Sequence, residues 1–328
     1  MTEKTARQIE GLKAQTFGVE IEGNNITREK AAKVAAEYFG TGRYENTAYR
    51  DGYMTWTAYD QQDREWKFQR DVSIAGPDSE KCELVTPILT YGDIESLQEL
   101  LRRLRKAGMK SSPKRGCGVH IHVGLQGTDG RNHDAKSLRN LVNIMAAHET
   151  QIGRAIKIDR GRTGRYCRTV NPDFLALVNK KKPKTMEDLA DCWYKGNHAE
   201  YGRTSHYNDS RYHMLNLHPG MAWTLGSGDH AKPTLEFRLF QFSDPADGRQ
   251  NGIHAGEMKA YIQLCLAMSE LAKEVAYASP KPQQTDNEKY AFRCWMLRLG
   301  FIGDEFKTAR EILLRNMEGN CAWRTAVC

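Results

Sequence analysis

Apolar and polar residues alternate with a period of two along Thr16-Phe17-Gly18-Val19-Glu20-Ile21-Glu22-Gly23. That period predicts a strand with Phe17, Val19 and Ile21 on one face and Glu20 and Glu22 on the other. The same pattern marks Cys117-Gly118-Val119-His120-Ile121-His122-Val123-Gly124, with His120 and His122 on one face and Val119, Ile121 and Val123 on the other. Cys82–Leu89 is an apolar strand carrying one carboxylate, Glu83, with Pro87 near its end. Arg211–Leu217 and Thr234–Phe240 read as two more strands. In the second, Glu236 and Arg238 lie opposite Leu235, Phe237 and Leu239. Residues 44–74 are rich in aromatics and carry a turn at Asp60-Gln61-Gln62-Asp63, which predicts a hairpin with Trp66 and Phe68 on the returning strand.

Helical spacing fills the intervals. Thr27 caps a helix over about 28–39 that stops at Gly40. Asp93 opens another, with Ile94, Leu97, Leu101 and Leu104 at 3- and 4-residue steps and Gly108 at its end. A long helix is expected over about 134–157, with Leu138, Leu141, Val142, Met145 and Ile152 as its stripe. From about 250 onward the chain reads as helical, over 250–277, 287–298 and 305–317. Residues 1–15 are expected to be a flexible or loosely helical start, and a Gly/Ser loop is expected before Thr234. The body spans 16–279, with a basic insertion or lid at about 154–210, and 280–328 form a helical extension packed on it. The fold class is α+β, an antiparallel sheet with helices on one face and a metal-lined cleft on the other.

Each polar pair has two readings. His120 and His122 can be hydrogen-bonded strand histidines or metal ligands. Glu20 and Glu22 can face solvent, or a cation can sit between them. Glu236 and Arg238 can be an exposed ion pair. Taken together, several strands carry carboxylates or imidazoles on one face each, and divalent cations would offset the cost of gathering them.

Composition narrows the class. The 328 residues are 40% hydrophobic and 27% charged, as in a globular chain. No apolar run approaches the roughly 18 residues of a membrane span. The charged N-terminus lacks a signal peptide's apolar stretch, so a cytoplasmic location is expected. The eight cysteines form no Cys-x-x-Cys pair. The net charge of +7 is concentrated: Arg154 to Lys184 hold ten Lys or Arg against Asp159 and Asp173. This points to a local anion site. Arg160-Gly161-Arg162-Thr163-Gly164-Arg165 reads as a mobile loop able to close on phosphates. The run Lys180-Lys181-Lys182-Pro183-Lys184 reads as solvated surface.

The motifs in order resemble the amidoligase family: Phe17-Gly-Val-Glu-Ile-Glu22, Asp71-x-Ser73 followed by Glu83-Leu-Val-x-Pro-Ile-Leu89, Gly118-Val-His-Ile-His-Val123, Arg211-Tyr-x-x-Leu-Asn-Leu217 and Glu236-Phe-Arg-Leu-Phe240. That family is similar to glutamine synthetase and γ-glutamylcysteine ligase, and the resemblance spans roughly residues 16–275. It implies a glutamine synthetase-like catalytic fold with an ATP and metal cleft. It also implies ATP-dependent amide or isopeptide formation through an acyl phosphate. The cofactors implied are ATP with Mg2+ or Mn2+, and the partners an amino acid, peptide or protein bearing a carboxylate and an amine. By the resemblance, Glu20, Glu22, Glu83, His120 and Glu236 ligate metal. His122 touches metal or phosphate, and Arg238 steadies the transferring phosphate beside Glu236. Arg211, Asn216 and Arg165 contact nucleotide or carboxylate. Val72 stands in Asp71-x-Ser73 where a small residue is expected, which argues against a tight turn there.

Two rivals remain. A zinc hydrolase using His120, His122 and a carboxylate or Cys117 leaves the Glu-x-Glu and Glu-x-Arg pairs unexplained. A nucleic-acid-binding protein would use the basic region with nearby Tyr and Trp residues, yet no recognised motif of that class occurs. Nothing in the sequence selects the acid, the amine or an oligomeric state.

Overall fold

A computed structural model describes residues 2–226, 231–243 and 252–322. Helix α1 (Glu3–Lys13) leads into strand β1 (Gln15–Gly23), then α2 (Arg28–Phe39), β2 (Tyr44–Asn46) and the single turn α3 (Ala48–Asp51). Strands β3 (Trp56–Tyr59), β4 (Glu65–Gln69) and β5 (Cys82–Val85) follow, then α4 (Ile94–Lys106), β6 (Val119–Gly127) and α5 (Ala135–Ile156). The middle holds α6 (Arg160–Arg165), α7 (Pro172–Lys181), α8 (Met186–Gly196), β7 (Leu215–Asn216), α9 (His218–Thr224) and β8 (Thr234–Phe240). The chain closes with α10 (Ala255–Glu274), α11 (Glu288–Arg298) and α12 (Lys307–Leu314). Helices with antiparallel strand pairs make this an α+β chain.

The chain forms two compact units. The first comprises Phe17–Ile121 and Phe240–Lys259; the second comprises Met1–Thr16, His122–Leu239 and Ala260–Cys328.

In the first unit the strand order is β2-β3-β4-β5-β1-β6. The register sets the faces. Phe68, Leu84 and Ile21 lie directly across from one another on β4, β5 and β1, and all are fully buried. One residue along, Gln69, Glu83 and Glu22 form the next row, so they point to the opposite face. Phe39 of α2 rests on Trp66, which shares the Phe68 face. Helix α2 also packs against α4, so helices cover the apolar face and leave the carboxylates on the other. Helix α4 buries Ile94, Leu97, Leu100, Leu101 and Leu104, each contributing roughly 1.5–3 kcal/mol. The hairpin turns at Asp60 as expected, and there the Asp60 carboxylate accepts from Arg64, Gln62 and the Trp66 indole.

In the second unit the strand order is β6-β8-β7. Helix α5 carries the expected stripe, with Leu138, Leu141, Met145 and Ile152 fully buried. The extension packs here: Trp295 of α11 stacks on His148 of α5, and Asn316 donates to the Ala155 carbonyl.

Residues 3–13 form a Thr2-capped helix with Leu12 fully buried, the helical of the two starts expected. Other expectations change. A strand is expected over 211–217, but the ladder with β8 covers Leu215 and Asn216, and His213 adds one isolated parallel bridge to Arg168. The residues before them make a 3-10 turn, because Asn208 caps Ser210 and draws the chain round. Residues 160–165 are not a loop: Asp159 accepts from the Gly161 and Arg162 amides and starts a short helix. The basic stretch also holds α7 and α8, which packing and the Asn171 and Thr185 caps make helical despite their lysines. The helix expected over 250–277 begins at Ala255; residues 250 and 251 lie outside the described residues, as do 227–230 of the Gly/Ser loop and 323–328 of the extension.

Candidate functional site

In the first unit the register brings Glu22 of β1 directly opposite Glu83 of β5. Like charges in that position repel unless something positive joins them. Glu22 is clamped at one end: its Oε2 accepts the Gly118 amide at 2.5 Å, and its own amide donates to the Gly118 carbonyl at 3.1 Å. His120, two residues further along β6, points its Nδ1 at Glu20 Oε2, 3.2 Å away, and its Nε2 lies 4.0 Å from Glu22 Oε1.

Two groups of ligand atoms result within this unit. Glu20, Glu83 and His120 place one donor atom each within 4.8 Å of one another, as do Glu22, Asp71 and Glu83. Glu83 belongs to both. Asp71 is brought in by its loop. Asn24 at the end of β1 donates to the Ala75 carbonyl, and Arg28 of α2 donates to the carbonyls of Asp78 and Lys81. The expected obstacle at Val72 is absent. Asp71 Oδ1 accepts the Ser73 amide at 2.6 Å and closes an Asx turn, while Val72 points outward, 69% exposed. These donors are four carboxylates and one imidazole, a set suited to a hard divalent cation. Cys117 is in neither group, and its Sγ faces the Arg115 carbonyl at 3.5 Å.

The second unit holds the other site residues. Arg238 Nη1 donates to Glu236 Oε1 at 2.6 Å, and Asn216 Nδ2 donates to Glu236 Oε2 at 2.7 Å. All three are buried, so the exposed ion pair considered from sequence is instead a buried one. Asn216 is fixed in turn. Its Oδ1 accepts the His218 amide at the start of α9, which fixes its amide toward Glu236. Arg238 lies over the Tyr212 ring, with the guanidinium carbon 5.9 Å from the centroid, and its Nε reaches the Tyr166 carbonyl at 3.4 Å.

Arg162, which sequence reasoning did not select, is buried beneath this pair. Its Nη2 donates to the Arg238 carbonyl at 3.0 Å. The signal for it was Asp159: a cap there starts α6 and turns Arg162 inward. Arg165, selected from sequence, is exposed and lies over Tyr166. Arg211 donates to the His206 carbonyl beside Tyr207 and stands apart from Glu236 in the hydrogen-bond pattern. His122 belongs to this unit and is partly buried.

Residues 13–269 match the sequence family described as "Putative amidoligase enzyme". No curated protein matches. Among solved structures, the chain is similar to a crystal structure of a bifunctional glutathione synthetase from Pasteurella multocida. The identity is 16% and the TM-score 0.43, over 96% of this chain and 49% of that one. The chain therefore spans about half the length of that synthetase. No helix among the described residues is long and apolar enough to cross a membrane.

Proposed function

The chain belongs to the amidoligase family, and from that membership we propose that it joins a carboxylate to an amine with ATP, in the cytoplasm. The observation that carries the reading is the placement of Glu22 opposite Glu83 with His120 and Glu20 beside them. Such a donor set is costly without cations and apt for the phosphates of ATP with Mg2+ or Mn2+. Glu20, Glu22, Glu83, His120 and Asp71 would hold the ions. Bound there, divalent cations would screen charge on the ATP phosphates and on the transferring phosphoryl group.

In this reading a substrate carboxylate oxygen bonds to the γ-phosphorus and ADP leaves. The amine nitrogen then bonds to the acyl carbon, the acyl C–O bond breaks, and inorganic phosphate leaves with the proton the nitrogen gives up, forming an amide or isopeptide bond. Arg238, oriented by Glu236 and backed by Arg162, offers a fixed positive group to the phosphoryl oxygens. Glu236 itself, with His122, is assigned to the metal or phosphate contacts implied by the family motifs, and Arg165 and Arg211 to outer contacts with nucleotide or carboxylate. The acid and amine come from amino acids, peptides or a protein.

The test is to incubate the protein with ATP, magnesium and pooled amino acids or peptides and to measure ADP and phosphate. Amine-dependent release of both supports the reading. No release with any amine, with manganese also supplied, overturns it.

A further inference from the structure

The lysine run at 180–184 has a structural setting that its sequence did not suggest. Helix α7 ends at Lys181, and the chain reverses at Lys182 in the left-handed region, φ 50°, so that α8 runs back along α7. The two helices touch closely. A Cβ on Gly196 would lie 2.4 Å from Phe174 Cα. Beside this contact is a cavity of about 500 Å³, lined by Lys181, Lys182, Lys184 and Lys195.

Its charges do not cancel locally. Arg203 also lines the cavity, and it takes up two of the carboxylates there, Asp191 at 2.5 Å and Glu200 at 3.5 Å. That leaves Asp188 among four lysines, whose ammonium groups make no hydrogen bond or ion pair with a described residue. A cavity of this size with unmatched positive charge favours an anion.

The lining also indicates which anion. It has no aromatic ring, so nucleobases lack a stacking platform. Its one arginine is already engaged, so no guanidinium is left for a bidentate grip on phosphate. What remains is a spread of point charges with apolar patches at Leu177 and Pro183. That suits carboxylates spaced along a flexible chain. We propose that the α7–α8 cavity binds an acidic peptide segment through Lys181, Lys182, Lys184 and Lys195. That this segment belongs to the substrate being ligated rests on the reading above.

The test uses fluorescein-labelled hexaglutamate and fluorescence anisotropy, with the full chain, at about 50 mM and about 150 mM salt. All four lysines are exposed, so the K181Q/K184Q/K195Q variant retains its fold. The expected result is saturable binding that this variant weakens about tenfold or more. The control R102Q/R103Q/K106Q, on the exposed face of α4, is expected to bind as the parent does. Equal weakening in both variants, or no saturation, overturns the site. Tighter binding of tripolyphosphate or oligo-dT than of hexaglutamate overturns the assignment to an acidic peptide. Binding is read without turnover. Its failure leaves the ligase reading intact, and an absence of ADP release leaves the cavity's binding measurable.

Discussion

Arg238 Nη1 donates to Glu236 Oε1, two residues before it on the same strand, at 2.6 Å, and both side chains are buried. Alternation puts the pair on one face, and burial makes each charge depend on the other. Removing one partner strands the other, at about 3–5 kcal/mol. R238A is therefore expected to lower stability by that order and to abolish turnover. R238K keeps the charge but loses the bond geometry to Tyr166 and the stacking on Tyr212, so it should fold and still lose most activity. Urea denaturation of R238A, E236A and the double variant checks the first point: a coupling energy below about 0.5 kcal/mol would show that the pair is not energetically linked.

Glu83 is shared by both ligand groups, and Glu22 faces it across the register. The two carboxylates should repel when no cation is bound and cooperate when one is. E83Q is thus expected to be as stable as the parent, or more stable by about 0.5–1 kcal/mol, in chelator. With Mn2+ or Mg2+ the parent should gain stability by mass action, about 2.7 kcal/mol at a hundred times Kd, while E83Q gains little. D71N and E20Q should each lose part of the gain. Thermal unfolding against metal concentration reads all four proteins; a metal response in E83Q equal to the parent's removes Glu83 from the site.

Local pattern carried much of this. Period-two alternation placed Glu20, Glu22 and His120 on their faces, and the Ile94–Leu104 spacing placed α4. Register did not follow from pattern: that Glu22 meets Glu83 and Phe68 meets Leu84 depends on how separate strands align. The buried role of Arg162 and the bond from Asn216 to Glu236 did not follow from pattern for a related reason. Each acts through a residue about twenty or more positions away and on another element, Arg238 for one and Glu236 for the other. The strand expected at 211–217 failed because its alternation was weak. The side chains of Arg211 and His213 are held by the backbone carbonyls of His206 and Thr169, and His213 makes an isolated parallel bridge to Arg168 in place of a continuous ladder.

Gly196 sits where α8 meets α7, and a Cβ there would fall 2.4 Å from Phe174 Cα and 3.0 Å from its backbone nitrogen. Those are backbone atoms within a helix and cannot swing aside. G196A is expected to cost about 1–3 kcal/mol and to part the two helices. Since the basic cavity lies between them, hexaglutamate binding should weaken in the same variant. Chemical denaturation measures the first effect and anisotropy the second. An unchanged midpoint would mean that the helices separate freely.

Glu149 gives a pH dependence with a definite sign. Burial in α5 pushes its carboxyl up to about 7, while the bond from the Val170 amide at 2.9 Å opposes the shift. Below about pH 4.5 the group is protonated in both folded and unfolded chains and has no effect. Between there and about 7 the unfolded chain releases the proton and the folded chain keeps it, so this residue's contribution to stability falls as pH rises. The amide side chain of E149Q cannot ionise and still offers an oxygen to Val170. The variant should match the parent near pH 4 and exceed it at pH 8 by an amount on the order of 2 kcal/mol, allowing for partial exposure. Urea midpoints at about pH 4, 6 and 8 give the difference directly. A constant difference across that range would show that Glu149 titrates alike in both states.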